Sequence, residues 1–267
     1  MLRFSGAGVS DVGLVRASNE DSGFVAPYVA LVADGVGGAA AGEIASATAA
    51  YAVAAVALQR HGVDAARVVT EAFAAARDNV RLGVQRDLNR LGMATTLTVV
   101  LTDGRSVVLG HVGDSRAYLL RGGELRQITT DHTYVQHLVE TGRLSGQARS
   151  THPWRNVVLR SLDGDPEGSG LDVTRLDVRI GDRLLVCSDG LTDLVDDTAI
   201  AAVLRVHDPE EAASELTARA LTAGGRDNIT CVVLDVVDGP RVVGDGKLLG
   251  AVADPRNIVD AAAVRLA

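Results

Sequence analysis

The chain has 267 residues, 47% hydrophobic and 22% charged, which suits one large soluble domain or two small ones with a real core. Its 26 basic against 34 acidic side chains leave a net charge of −8, which excludes a basic surface for nucleic acid or anionic lipid. Residues 1–13 lack a signal-peptide core, and the weakly polar stretch 44–58 is too short to span a bilayer.

In chain order, "FVAPYVALVAD" reads as a strand pair ending at Asp34, and three glycines (35, 37 and 38) then lead into an alanine-rich run. Apolar spacing predicts helices over about 42–60 and 64–90, with Asp64 as N-cap of the second. "ATTLTVVLT" and "SVVLGHVGD", separated by "DGR", form a hairpin signal, and "RAYLLR" and "ELRQIT" continue a meander. A short helix over 131–145 closes at Gly142. Residues 145–170, rich in Gly, Ser and Pro, read as a mobile excursion of the kind that often serves as a functional flap. Two strands fall within 172–190, a helix over 208–225 and a last strand over 228–237, and the tail from Gly239 is expected to lie on the surface. Cys187 and Cys231 sit inside apolar runs and are expected to be reduced core thiols. Hairpin-joined strands with helices in separate blocks predict an α+β layered domain of antiparallel sheets covered by helices.

Four carboxylates mark strand ends. "LVAD" stops at Asp34, "VLGHVGD" at Asp114 and "LLVCSD" at Asp189, while Asp227 in "GRDN" immediately precedes the last strand. Each alone is a common turn or cap residue. Gathered at one sheet edge, they would repel by about 4 kcal/mol per pair at 4 Å and an effective dielectric near 20, so the cluster must take up protons or bind a cation. All-oxygen ligands without Cys or His at zinc spacing suit magnesium or manganese. Four side chains cannot saturate two ions, so water completes the shells, and a water shared between two ions is acidified into a nucleophile. Gly35 lets its backbone carbonyl approach an ion. Glu20 and Asp21 extend the acidic supply, and Arg16 is suited to hold phosphate oxygens bidentately. Such a set fits phosphate monoester hydrolysis.

The segments "DVGLVRASNEDS", "VADGVGG", "GHVGDSRAYLLR", "TDHTYVQ", "LLVCSDGLTD" and "GRDNITCVVL" resemble, in order, the signature segments of the type-2C metal-dependent protein serine/threonine phosphatases (the PPM family), in their compact bacterial branch. The resemblance covers about Ser10 to Val237. It implies a four-layer α-β-β-α sandwich, two antiparallel sheets flanked by helices, with a dinuclear Mn2+ or Mg2+ site at one edge and a possible third ion. On it, Asp34 bridges the two ions, Gly35 gives its carbonyl to one, and Asp189 and Asp227 hold the other. Glu20 and Asp21 match the acidic pair near the second ion and its waters, Arg16 the phosphate-binding arginine, and Asp114 the ligand of the third ion, with Asp189 shared. The segment His132 to Ser161, with His132, His152, Arg160 and Ser161 as its candidate residues, falls where bacterial members carry a substrate flap. Some members place a histidine after the bridging "DG" as general acid; here that residue is Val36, and the acid is unassigned.

The expectation is a monomeric cytoplasmic phosphatase acting on phosphorylated proteins that a serine/threonine kinase supplies, with residues 1–238 as catalytic domain and 239–267 as a tail packed against it. The chain reads either as a free enzyme or as the catalytic part of a longer, membrane-anchored protein. The alternatives are a non-catalytic phosphoprotein-binding module of the same fold and a phosphatase of small esters.

Overall fold

The computed structural model describes residues 1–36, 41–60, 62–149, 151–168, 170–244 and 246–262; the glycine turn expected at 37–38 lies outside them. The first half of the chain forms β1 (Leu2–Asp11), β2 (Asp21–Val25), β3 (Val29–Asp34), α1 (Gly42–Gln59), α2 (Ala65–Arg86), β4 (Leu97–Thr102), β5 (Val107–Val112), β6 (Arg116–Arg121) and β7 (Glu124–Gln127). The second half forms α3 (Tyr134–Glu140), β8 (Asp172–Leu176), β9 (Arg183–Cys187), α4 (Asp189–Thr192), α5 (Asp197–Val206), α6 (Pro209–Thr222), β10 (Ile229–Asp238) and β11 (Lys247–Gly250).

Two antiparallel sheets, ordered β1-β10-β9-β6-β7 and β11-β2-β3-β4-β5-β8, stack with helices on both outer faces. The expected α+β four-layer sandwich is therefore the observed fold. β3 shows why its run is uninterruptedly apolar. Ala30 and Val32 point between the sheets towards Val186, Val232 and Leu234, while Leu31 and Ala33 face the α1/α2 layer. A strand buried on both faces has no place for polar alternation.

The helices follow the same logic. α2 starts where the Asp64 carboxylate accepts the Arg67 N–H at 3.1 Å, and it buries Val69, Ala72, Phe73, Ala76 and Val80 along one face. α1 is buried nearly all round, because it lies between β2, β3, α2 and the returning tail. Alanine suits that position because it lets backbones approach closely.

The ten-residue β1 is absent from the sequence reading. Its Gly- and Ser-containing run pairs with β10 at all ten positions, and Gly6 and Gly8 lie against Leu234 and Leu249, where a Cβ would clash at 2.4 and 2.5 Å. α5 is also absent from it, although Asp196 accepts the Ala199 N–H at 2.8 Å as an N-cap. Beyond Gly239 the chain adds β11 to the edge of β2, and the Val252 N–H donates to Ser22 Oγ at 3.1 Å. Cys187 and Cys231 are buried, free and opposite each other in register, and burial pushes the Cys231 thiol up to about 12. Among the described residues no helix is long and apolar enough to cross a membrane.

Candidate active site

Sheet stacking brings the strand-end carboxylates to one edge. Asp34 closes β3 with its backbone fixed on both sides: its N–H donates to Thr96 Oγ1 at 2.9 Å and its carbonyl accepts from Thr96 N at 2.8 Å and Thr95 Oγ1 at 2.9 Å. The same Thr96 hydroxyl meets Ser115 Oγ at 2.8 Å, which ties the Asp34 strand to the turn that carries Asp114. Ser188, just before Asp189, donates to Asp21 Oδ2 at 2.7 Å and accepts the Thr230 N–H at 3.0 Å, joining both sheets behind the site.

Asn228 organises the other side. Its Nδ2 donates to the carbonyls of Val12 and Ser18, both at 2.9 Å, and its Oδ1 accepts the Glu20 N–H at 2.7 Å. One amide thereby shapes the loop that presents Arg16 and Glu20. Gly190 is obligatory beside it, since a Cβ there would lie 1.9 Å from the Asn228 carbonyl oxygen. Gly35 is equally confined, with the Gly42 backbone 2.6 Å from where its Cβ would be.

The result is a cleft of about 320 Å³ whose wall includes Arg16, Glu20, Asp34, Asp114, Asp189 and Asp227, with Gly35 and Val36 beside Asp34. Asp21 is fully buried behind this wall. Burial, and then the charges of Asp21, Asp189, Asp114 and Asp227, hold the Asp34 carboxyl well above the usual range. Burial, followed by the charges of Asp114, Asp193, Asp227 and Asp21, does the same to Asp189. Burial raises Asp114 to about 7 and Asp21 to about 6. Arg16 Nη2 donates to Asp227 Oδ2 at 2.7 Å, and its pKa is raised by that bond.

These carboxylates call for a cation. Asp21 Oδ1 is buried without a hydrogen-bond partner, and the donor set is all oxygen, which fits hard divalent ions. Among the described residues no group of three or more His, Cys, Asp or Glu side chains forms a ready-made cage for one ion. Ions that retain much of their water need no such cage.

The candidate flap residues lie outside this wall. The Gly113 N–H donates to His132 Nδ1 at 3.1 Å, and His132 Nε2 lies 3.0 Å from Asp172 Oδ2 and 2.8 Å from Arg160 Nη1. Arg160 Nη2 donates to Asp172 Oδ1 at 2.8 Å. His152 Nδ1 accepts the Trp154 N–H at 3.1 Å, and its ring packs beside Tyr134 and Trp154. Half-buried Ser161 precedes Leu162, whose backbone pairs with Thr95. From this segment the cleft wall takes Asn156 and Val158 instead, brought over by the bridge between Thr133 and Val158. Ser188 and Asn228 carry no sequence signal beyond adjacency to Asp189 and Asp227, and Asn156 and Thr96 carry none.

The family model of protein phosphatase 2C matches residues 17–222. The chain is 44% identical over 238 residues to the serine/threonine protein phosphatase PstP of Mycobacterium tuberculosis, covering 89% of this chain and 46% of that protein. It thus spans just under half the length of that relative. To the serine/threonine phosphatase stp of Listeria monocytogenes it is 32% identical, covering 85% of this chain and 93% of that protein. A crystal structure of the catalytic domain of PstP in complex with two manganese ions superposes with a TM-score of 0.82 at 41% identity, covering 89% of this chain and all of that one. With the carboxylate-lined sheet edge and the stacked antiparallel sheets, these likenesses establish that the chain belongs to the protein phosphatase 2C family.

Proposed function

We propose that this chain hydrolyses phosphoserine and phosphothreonine monoesters in proteins, using two divalent ions, manganese or magnesium, held at the acidic cleft. The observation that carries the reading is the meeting of Asp34, Asp189, Asp227 and Arg16, distant in sequence, in one cleft. The likeness to named serine/threonine phosphatases and to a two-manganese structure supports it.

Asp34, the Gly35 carbonyl, Asp189 and Asp227 are the groups that would hold the two ions. Glu20 and buried Asp21 would hold the surrounding water, and Asp114 with Asp189 would take a third, weaker ion. When bound, the ions neutralise the phosphoryl oxygens and acidify water at neutral pH. The protein groups do the rest. Arg16, paired with Asp227 in this structure, exchanges that carboxylate for phosphate oxygens, which a planar guanidinium holds bidentately. Thr95, Thr96, Ser188 and Asn228 fix the ligand backbones, so little reorganisation is needed as charge develops. The partners are phosphorylated proteins, the products of a serine/threonine kinase.

The test is phosphate release from a phosphothreonine peptide with manganese added. Asp189→Ala should abolish it, and full turnover by that variant would remove the assigned site.

A further inference from the structure

A second cavity, of about 190 Å³, adjoins the acidic cleft and shares Asp114, Asn156 and Asp189 with it. Besides Asp114 and Asp189, its wall carries the arginines Arg116, Arg149 and Arg155 and the carboxylates Asp131 and Asp193. These arginines are not equivalent. Arg116 is fully engaged: it meets Asp131, which lines the same cavity, through Nε at 2.9 Å and Nη2 at 2.6 Å. Arg149 Nη1 donates to the neutral Gln136 Oε1 at 3.0 Å, and its nearest carboxylate, Asp131, is 3.9 Å away and already committed to Arg116. Among the described residues Arg155 has one ion-pair partner, Asp193 at 3.8 Å, and no side-chain hydrogen bond.

Two half-open guanidiniums without a close counter-anion, facing a cavity continuous with the cleft, are an arrangement for an incoming anion. Each can replace one long pair by two short N–H···O bonds to a carboxylate or phosphate. An extended peptide advances about 3.3 Å per residue, and the adjoining cavity shares wall residues with the cleft, so a side chain one or two positions from the phosphorylated residue is the part of such a substrate suited to it. We propose that this cavity is an anion subsite for the same phosphoprotein, in which Arg149 and Arg155 take an acidic side chain or a second phosphate flanking the scissile one. The proposal deepens the phosphatase reading above and rests on it. It makes the substrate class polyanionic segments rather than isolated phosphoresidues.

The experiment compares three phosphothreonine peptides, identical except for a neighbouring residue that is glutamine, glutamate or a non-hydrolysable phosphonate. Initial rates are read with manganese added. Wild type should favour an anionic neighbour by about tenfold in kcat/KM, expressed in KM. The double variant Arg149→Gln/Arg155→Gln should bring the ratio to within twofold, and Arg149→Lys/Arg155→Lys, which keeps the charge but not the fork, should retain only part of it. A ratio within one variant is insensitive to general damage, which lowers all three rates alike. A preference for the glutamate, the phosphonate or both supports the subsite and names its anion. No preference in wild type, or a preference that survives the double glutamine variant, overturns it while leaving turnover of the neutral peptide as support for the phosphatase reading. Failure to turn over any of the peptides sinks that reading and the subsite with it.

Discussion

Asp21 and Asp34 stand opposite each other in the β2–β3 register, Asp21 fully buried and Asp34 open to the cleft. Two acids on facing strands would be a flaw in an ordinary sheet, because like charges directly opposite destabilise the pair. Here they belong to a larger group whose members raise one another's proton affinity.

This repulsion makes Asp189→Asn a stabilising loss of function. In chelator at pH 7 the variant should be more stable than wild type by about 1–3 kcal/mol, the range for relieving an uncompensated buried charge. The sign follows from the raised pKa. The folded protein holds a proton on Asp189 that the unfolded chain has released, so wild-type stability from this group is full below the usual carboxylate pKa and lost as pH rises through the folded value. The gap between variant and wild type should therefore close towards pH 4, and saturating manganese at pH 7 should reverse it. Urea melts at the two pH values, with and without manganese, check all three outcomes. A gap that widens on acidification contradicts the charge cluster.

His111 pulls the other way. It is buried, with Nε2–H donating to the Thr130 carbonyl at 3.1 Å and Nδ1 accepting from the Thr98 hydroxyl at 2.9 Å. Burial, then the neighbouring His132, lowers it to about 4. A depressed folded pKa gives stability that is present above 6.5 and lost as pH falls towards 4, about 3 kcal/mol at most. His111→Gln should flatten that acid limb in urea melts across pH 4–7. An unchanged limb would place its origin elsewhere.

Gly190→Ala tests the contact between the two strand-end motifs. A methyl 1.9 Å from the Asn228 carbonyl oxygen forces α4 and β10 apart, and Asp189 and Asp227 with them. We expect a loss of about 2–4 kcal/mol in unfolding free energy and weaker manganese binding by calorimetry. Full retention of both would show that the motifs can separate freely.

Val36 lines the cleft and cannot donate a proton. Val36→His should raise kcat on a phosphothreonine peptide by about tenfold near pH 6, with a new alkaline limb in the pH–rate profile, because an alkoxide is a poor leaving group without an acid. If that limb does not move, a histidine at position 36 is not acting as the acid.

The strands that end in aspartate were legible because β3, β5 and β9 are apolar runs broken by a carboxylate. β1 was not: its glycines and serines show no alternation, and pairing with β10 rather than propensity makes it a strand. α5 did carry a signal, an Asp at its start followed by Ile200, Val203 and Leu204. The acids of the cleft could be named in advance, since charge at a strand end is conspicuous in a sequence. Asn228 could not, because its importance lies in three hydrogen bonds to residues more than two hundred positions away. The flap segment was expected near substrate through His132 and His152, yet Asn156 and Val158 line the cleft. The bridge between Thr133 and Val158 decides which side faces in, and no local pattern encodes a bridge.

Asp34 rides on one sheet while Asp189 and Asp227 ride on the other. No hairpin, helix pair or single layer therefore contains the centre. Half-built chains emerging from the ribosome have no acidic pocket to fill. The acidic pocket exists only when both sheets are docked, which makes cation binding there a readout of completed assembly.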